Sequence, residues 1–163
     1  VKKIAVIGAG AKGRAFAMAC ALSGYSVVLE DVMPSKLREA EAQFTGDGLL
    51  EFASTVEDAV READFAIDFV PDELESKLEM VCMIDRMAPP KTILLVQTTA
   101  LGVGDLAACT YRAEKCVGVR LFEERVEIVR GPATGDETAV TVSDLFAALG
   151  WGVGATEDRV VLM

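Results

Sequence analysis

The run VKKIAVIGAGAKG, residues 1–13, decides the fold. A short apolar strand opens it, Gly8, Gly10 and Gly13 follow in G-x-G-x-x-G spacing, and the small-residue stretch 14–22 reads as a helix. Strand, glycine turn and helix in that order make a seat for a pyrophosphate. Gly8 permits the tight turn, Gly10 removes the Cβ that would hold phosphates off the backbone, and Gly13 lets helix pack closely on strand. The free N–H groups and positive dipole end of the helix then face the anion. Ala9, Ala11 and Lys12 complete the turn. Lys12 stands where an apolar residue is usual; its ammonium either faces solvent, the favoured reading, or reaches the pyrophosphate.

Outward from the turn, residues 26–30 form a second apolar strand that leads to Asp31, about 20 residues beyond the first glycines, the spacing of a dinucleotide fingerprint. A carboxylate at that point accepts hydrogen bonds from both hydroxyls of an adenosine ribose and repels a 2′-phosphate, so the motif implies NAD over NADP. Glu30, Lys36 and Arg38 lie close by in the chain.

The remaining segments alternate between strand and helix. Residues 34–44 have helical spacing with Leu37, Ala40 and Phe44 on one face, and 49–53 make a short strand. Ser54-Thr55-Val56-Glu57 reads as a capping box opening a helix over 56–62. Residues 64–70 form an apolar strand containing Asp68 and ended by Pro71, and 73–87 form a helix closed by Pro89-Pro90. Residues 91–96 are another buried strand, running into Gln97-Thr98-Thr99. Beyond it lie a short helix at 104–108, adjacent strands at 115–122 and 125–130, a helix at 136–149 and a last strand at 152–156. Strands joined by helices predict an α/β fold of Rossmann type, a doubly wound, mostly parallel sheet with helices on both faces. Such sheets bind ligands at the carboxyl ends of their strands, where Asp31, the Val70-Pro71-Asp72 corner and Gln97-Thr98-Thr99 fall.

Composition narrows the function classes. The 163 residues suit one domain, 1–163, with a real core and no room for a separate substrate domain. Twenty-six acidic against 16 basic residues argue against nucleic acid or an anionic membrane surface as partner. No apolar run approaches the roughly 20 residues of a membrane span, and a core strand stands where a secretion signal would. These features predict a cytoplasmic protein. Cys20, Cys82, Cys109 and Cys116 contain no C-x-x-C pair and the chain has no histidine, so free thiols and no metal site are expected, with Cys20 and Cys82 buried. The 52% apolar content predicts a surface covered by a homo-oligomer or by another domain.

Five stretches together resemble the N-terminal, NAD-binding domain of the 3-hydroxyacyl-CoA dehydrogenases: 6–13 (VIGAGAKG), 24–34 (GYSVVLEDVMP), 63–77 (ADFAIDFVPDELESK), 97–101 (QTTAL) and 126–138 (VEIVRGPATGDET). The last two are more specific than the glycine motif. The resemblance implies an NAD-dependent oxidoreductase of fatty acid metabolism acting on a CH–OH group of an acyl-CoA or hydroxy-acid substrate. It assigns Asp31 to the adenosine ribose, and Asp72 and Lys77 to the nicotinamide side, Lys77 being otherwise a solvated helix charge. Gln97-Thr98-Thr99-Ala100 stands where the family has Asn-Thr-Ser-Ser, whose hydroxyl and amide groups reach nicotinamide and substrate.

The catalytic half departs from that pattern. Where the family's acid/base histidine opens a His-Phe-Phe-Asn-Pro run, this chain reads Arg120-Leu121-Phe122-Glu123-Glu124, and the following loop is several residues shorter. The family's glutamate persists as Glu127. Arginine stays protonated and cannot serve as the base, so standard activity is not expected. Arg120 and Glu127 either pair with one another across neighbouring strands, the favoured reading, or act on substrate together with Thr99, with Arg120 binding an anionic group or polarising a carbonyl. The family's helical hairpin before residue 54 has no room here, and its helical second domain would begin where this sequence stops. A non-catalytic NAD-binding or structural module is the alternative reading.

Overall fold

The computed structural model describes residues 2–46 and 48–158. The chain divides into two compact units, Val1–Val70 with Arg86–Thr92, and Pro71–Asp85 with Ile93–Met163.

In the first unit the parallel strands β1 (Lys3–Ile7), β2 (Ser26–Glu30), β3 (Leu49–Ala53) and β4 (Phe65–Asp68) run in the order β3-β2-β1-β4. Chain order thus moves outward from β1 to β3 and returns on the other side of β1 with β4, pairing Ile4 with Phe65 and Ile7 with Asp68. The reversal is a topological switch point, and in such sheets ligands bind at the strand ends beside it. Ile4, Ala5, Val6, Val27, Leu29 and Ile67 are fully buried, which is why these strands read as continuous apolar runs.

The helices of this unit are α1 (Ala11–Leu22), α2 (Pro34–Gln43) and α3 (Val56–Val60). α1 begins three residues before the start read from sequence. Gly10 is its N-cap in extended conformation, so Ala11, Lys12 and Gly13 form its first turn and are not loop. It ends on Gly24, whose positive φ lets Gly24 N–H reach the Ala21 carbonyl and Tyr25 N–H the Cys20 carbonyl. Thr55, not Ser54, caps α3: its hydroxyl accepts from the Asp58 amide at 3.2 Å, so the expected box is one residue out of frame.

In the second unit β5 (Ile93–Gln97), β6 (Cys116–Phe122), β7 (Arg125–Arg130) and β8 (Gly152–Glu157) run in sequence order. β5/β6 and β7/β8 are parallel and β6/β7 antiparallel, the one departure from parallel pairing among the described residues of this unit. α4 (Leu74–Met87) contributes Lys77, Val81 and Ile84 to the interior, α5 (Val103–Ala107) packs on β5 and β6, and α6 (Asp136–Ala148) packs on β6, β7 and β8. Asp85 near the end of α4 is buried against Arg112, which donates through Nε to Oδ1 at 2.7 Å.

All four cysteines are free. Cys20 is buried, and burial pushes its thiol pKa far up. Cys82 is only half-buried, contrary to expectation, because its Sγ points to the Cys109 carbonyl at 3.7 Å near the surface loop after α5. Among the described residues no helix is long and apolar enough to cross a membrane, and no group of three or more His, Cys, Asp or Glu is placed to hold a metal.

Candidate cofactor and active site

Gly8 leaves β1 with φ +103°, a conformation that L side chains rarely adopt, and its amide donates to the Glu30 carbonyl at 2.8 Å, tying the turn to the end of β2. A Cβ on Gly13 would lie 1.8 Å from the Gly8 carbonyl oxygen, so α1 approaches the turn as closely as glycine allows. A Cβ on Gly10 would meet nothing within 4 Å. The backbone there faces open space, the cradle a phosphate requires. Lys12 is exposed at the same end of the helix.

Asp31 is buried and already oriented. Its Oδ2 accepts from the Ala9 amide at 2.9 Å and its Oδ1 from the Met33 amide at 2.9 Å, so the carboxylate joins the glycine turn to the loop entering α2. Each oxygen keeps a further lone pair for a hydroxyl donor. Next to it, Glu30 is almost wholly buried; burial, then the Asp31 carboxylate, push its pKa up to about 7, while the Gly8 amide draws it back. At the end of β4, the Asp68 carboxylate accepts from the Val70 amide at 3.2 Å and shapes the exit of that strand.

The second unit carries the other residues read from sequence. Asp72 organises the turn after β5: it accepts from Thr98 Oγ1 at 2.5 Å, from the Thr99 and Ala100 amides at 2.9 Å each, and from Thr99 Oγ1 at 3.3 Å. Burial works to raise its pKa, but these donors and the Lys77 ammonium outweigh it and leave the carboxyl below the usual range. Lys77 is fully buried and donates to Gln97 Oε1 at 3.3 Å, which overturns the reading of it as a solvated helix charge. Asp72 thus holds Thr98, Thr99 and the Ala100 amide, while Lys77 holds the Gln97 side chain.

Gln97, the last residue of β5, lies beside Val119 in the β5/β6 register, so Thr98 just past β5 comes level with Arg120, two residues before the end of β6. Arg120 faces Glu127 in the β6/β7 ladder, as the sequence suggested. Their expected ion pair, however, does not form. Glu127 Oε1 takes Arg125 Nη1 at 3.2 Å instead, since residues two apart on a strand share a face. Arg125 also lies over the Phe122 ring at 4.2 Å, held there by the tight turn at Glu123-Glu124. The Nε of Arg120 is buried with no hydrogen-bond partner.

The sequence profile described as 3-hydroxyacyl-CoA dehydrogenase, NAD binding domain, matches residues 3–48 and 46–156. The chain belongs to that family. Its relatives include a probable 3-hydroxybutyryl-CoA dehydrogenase from Bacillus subtilis, 30% identical over 92% of this chain and 60% of the relative. Another is 5-formyl-3-hydroxy-2-methylpyridine 4-carboxylate 5-dehydrogenase from Mesorhizobium japonicum, 26% identical over 92% of this chain and 55% of the relative. Among solved structures, a 3-hydroxyacyl-CoA dehydrogenase from Archaeoglobus fulgidus superposes with a TM-score of 0.87 at 28% identity, over 99% of this chain and 58% of that one. The fold is thus the Rossmann type expected of an NAD-binding domain. The chain spans about three fifths of the length of the curated relatives it matches.

Proposed function

We propose that this chain holds NAD(H) for an oxidoreductase acting on a CH–OH group, with residues 1–163 forming the cofactor-binding domain. In the first unit, Gly8, Ala9, Gly10, Ala11, Lys12 and Gly13 cradle the pyrophosphate, Asp31 holds the adenosine ribose, and Val70 closes the strand-end corner. In the second, Pro71, Asp72, Lys77, Gln97 and Thr98 occupy the family's nicotinamide-side positions. The observation that carries this reading is the Asp31 carboxylate, fixed by two backbone amides at the end of β2 while the backbone at Gly10 stays open.

When bound, the nicotinamide accepts or donates hydride. The chain's own residues orient and hold. Asp72 fixes the 98–100 turn, and Lys77 fixes the Gln97 side chain by a hydrogen bond. Arg120 cannot take a proton from a hydroxyl, and Glu127 is engaged by Arg125, so the ordinary acid/base step has no histidine to perform it. That absence favours a second reading, a non-catalytic NAD-binding module. The substrate under the first reading is a small acyl-CoA or hydroxy acid; the Mesorhizobium relative is named for a carboxylate substrate. A cytoplasmic location accords with the four free thiols. A second copy or a docked helical domain accords with exposed Val140 on α6 and Val153 on β8.

Calorimetric titration with NADH and NADPH tests the cofactor site: NADH binds, NADPH binds weakly, and Asp31→Ala abolishes the difference. Equal affinity for both cofactors in the unaltered chain would refute the role of Asp31. Acetoacetyl-CoA added with NADH separates the two readings, because loss of NADH absorbance in proportion to protein occurs only if the site turns over.

A further inference from the structure

We infer that Arg120 is the seat of a substrate carboxylate, an assignment that rests on the oxidoreductase reading and narrows its substrate to an acid bearing a free carboxylate near the reacting carbon. The acid directly across the ladder, Glu127, is held by Arg125, and among the described residues no ion pair neutralises Arg120. This occurs in a chain with 26 acidic residues to 16 basic ones, where a guanidinium has many carboxylates to choose from.

The donors left open specify the ligand. Arg120 Nε is buried and makes no hydrogen bond. A buried N–H without an acceptor is unfavourable, and a ligand oxygen that reaches it removes the penalty. Nε–H and the Nη–H on the same edge of a guanidinium point in parallel, a spacing that matches the two oxygens of a carboxylate; a lone ketone or thioester carbonyl satisfies one of them.

The neighbours at the strand ends do not compete for this role. Thr98 and Thr99 both direct their hydroxyls at Asp72, and Asp72 itself is an anion. The other cation of this region, Lys77, is fully buried and donates to Gln97, so Arg120 is the cationic group that the β5/β6 register sets next to the 98–100 turn on the strands themselves. Acting as an anchor, it fixes one end of the substrate by charge and takes no part in proton transfer.

The test uses the full chain labelled with ¹⁵N, with acetoacetate as the anionic probe and acetoacetamide as its neutral counterpart. The Arg120 Nε–H resonance, identified by its absence in Arg120→Lys, shifts on adding acetoacetate and not on adding acetoacetamide. Arg120→Gln weakens acetoacetate binding by about tenfold or more, and Arg120→Lys recovers part of that loss because charge is restored without the fork. A resonance that ignores acetoacetate, an equal response to both probes, or undiminished affinity in Arg120→Gln each overturns the proposal. If Arg120→Gln does not fold, the resonance of the unaltered chain decides alone. NADH titration of the same sample keeps the two readings apart: carboxylate binding without NADH binding sinks the cofactor reading, and the reverse sinks only the role of Arg120.

Discussion

Gly10 and Gly13 stand three residues apart and answer to different constraints. Gly13 has a backbone oxygen 1.8 Å from where a Cβ would sit, whereas Gly10 has nothing within 4 Å. Gly13→Ala is expected to lower stability by about 1–3 kcal/mol, since backbone has to move. Gly10→Ala is expected to change stability by no more than about 0.5 kcal/mol, yet weaken NADH by about tenfold, or about 1.4 kcal/mol. Thermal melting and calorimetry on the two variants check both statements; equal effects on folding would remove the distinction. Glu30 offers a second residue-level prediction. Its pKa rises from 4.5 to about 7 in the folded chain, so the folded state keeps a proton that the unfolded state releases. Stability therefore falls as pH climbs from about 4.5 through about 7. Glu30→Gln removes that slope, and melting curves at about pH 5 and about pH 8 that shift equally in both proteins would rule it out.

At the level of elements, the buried pair Asp85–Arg112 ties the end of α4 to the loop before β6. Arg112 donates to the Asp85 carboxylate and carbonyl, and the Tyr111 amide takes the second carboxylate oxygen at 3.0 Å. Asp85→Ala strips a buried guanidinium of its carboxylate and is expected to destabilise by about 3–5 kcal/mol, read from the urea midpoint; a loss typical of a surface site would show the pair to be incidental. Elements whose ends are marked by local chemistry were legible in sequence: β2, β3 and β7 lie over the residues read as strands there, each bounded by turn or polar residues. The start of α1 was not, because a glycine turn and a first helical turn look alike until Gly10 is seen to cap. The ladder position of Arg120 opposite Glu127 followed from strand spacing, but its ion pair failed because Arg125 competes along the same strand. Asp158, which accepts from the Val103 and Gly104 amides and caps α5 from more than fifty residues away, left no local signal at all.

For the whole molecule, the order of elements was readable from the sequence, and the proposed NAD site was nameable there because strand, glycine turn and terminal acid sit within 31 residues, whereas the proposed substrate end depends on side chains from separate strands whose pairing only the folded chain reveals. The two compact units carry one further consequence. Neither is a continuous piece of chain: residues 86–92 return to the first unit after 71–85 have joined the second. Within that returning stretch Thr92 is fully buried and its hydroxyl donates to the Ala63 carbonyl at 2.6 Å, so the first unit is incomplete without it. A gene fragment ending at residue 70 is accordingly expected to give an unfolded peptide by circular dichroism, and a cooperatively melting fragment would contradict that. No single cut divides this chain into two self-sufficient parts. An exchange of halves between relatives at one breakpoint divides a unit wherever it falls, so such chimaeras are expected to melt at lower temperature than either parent.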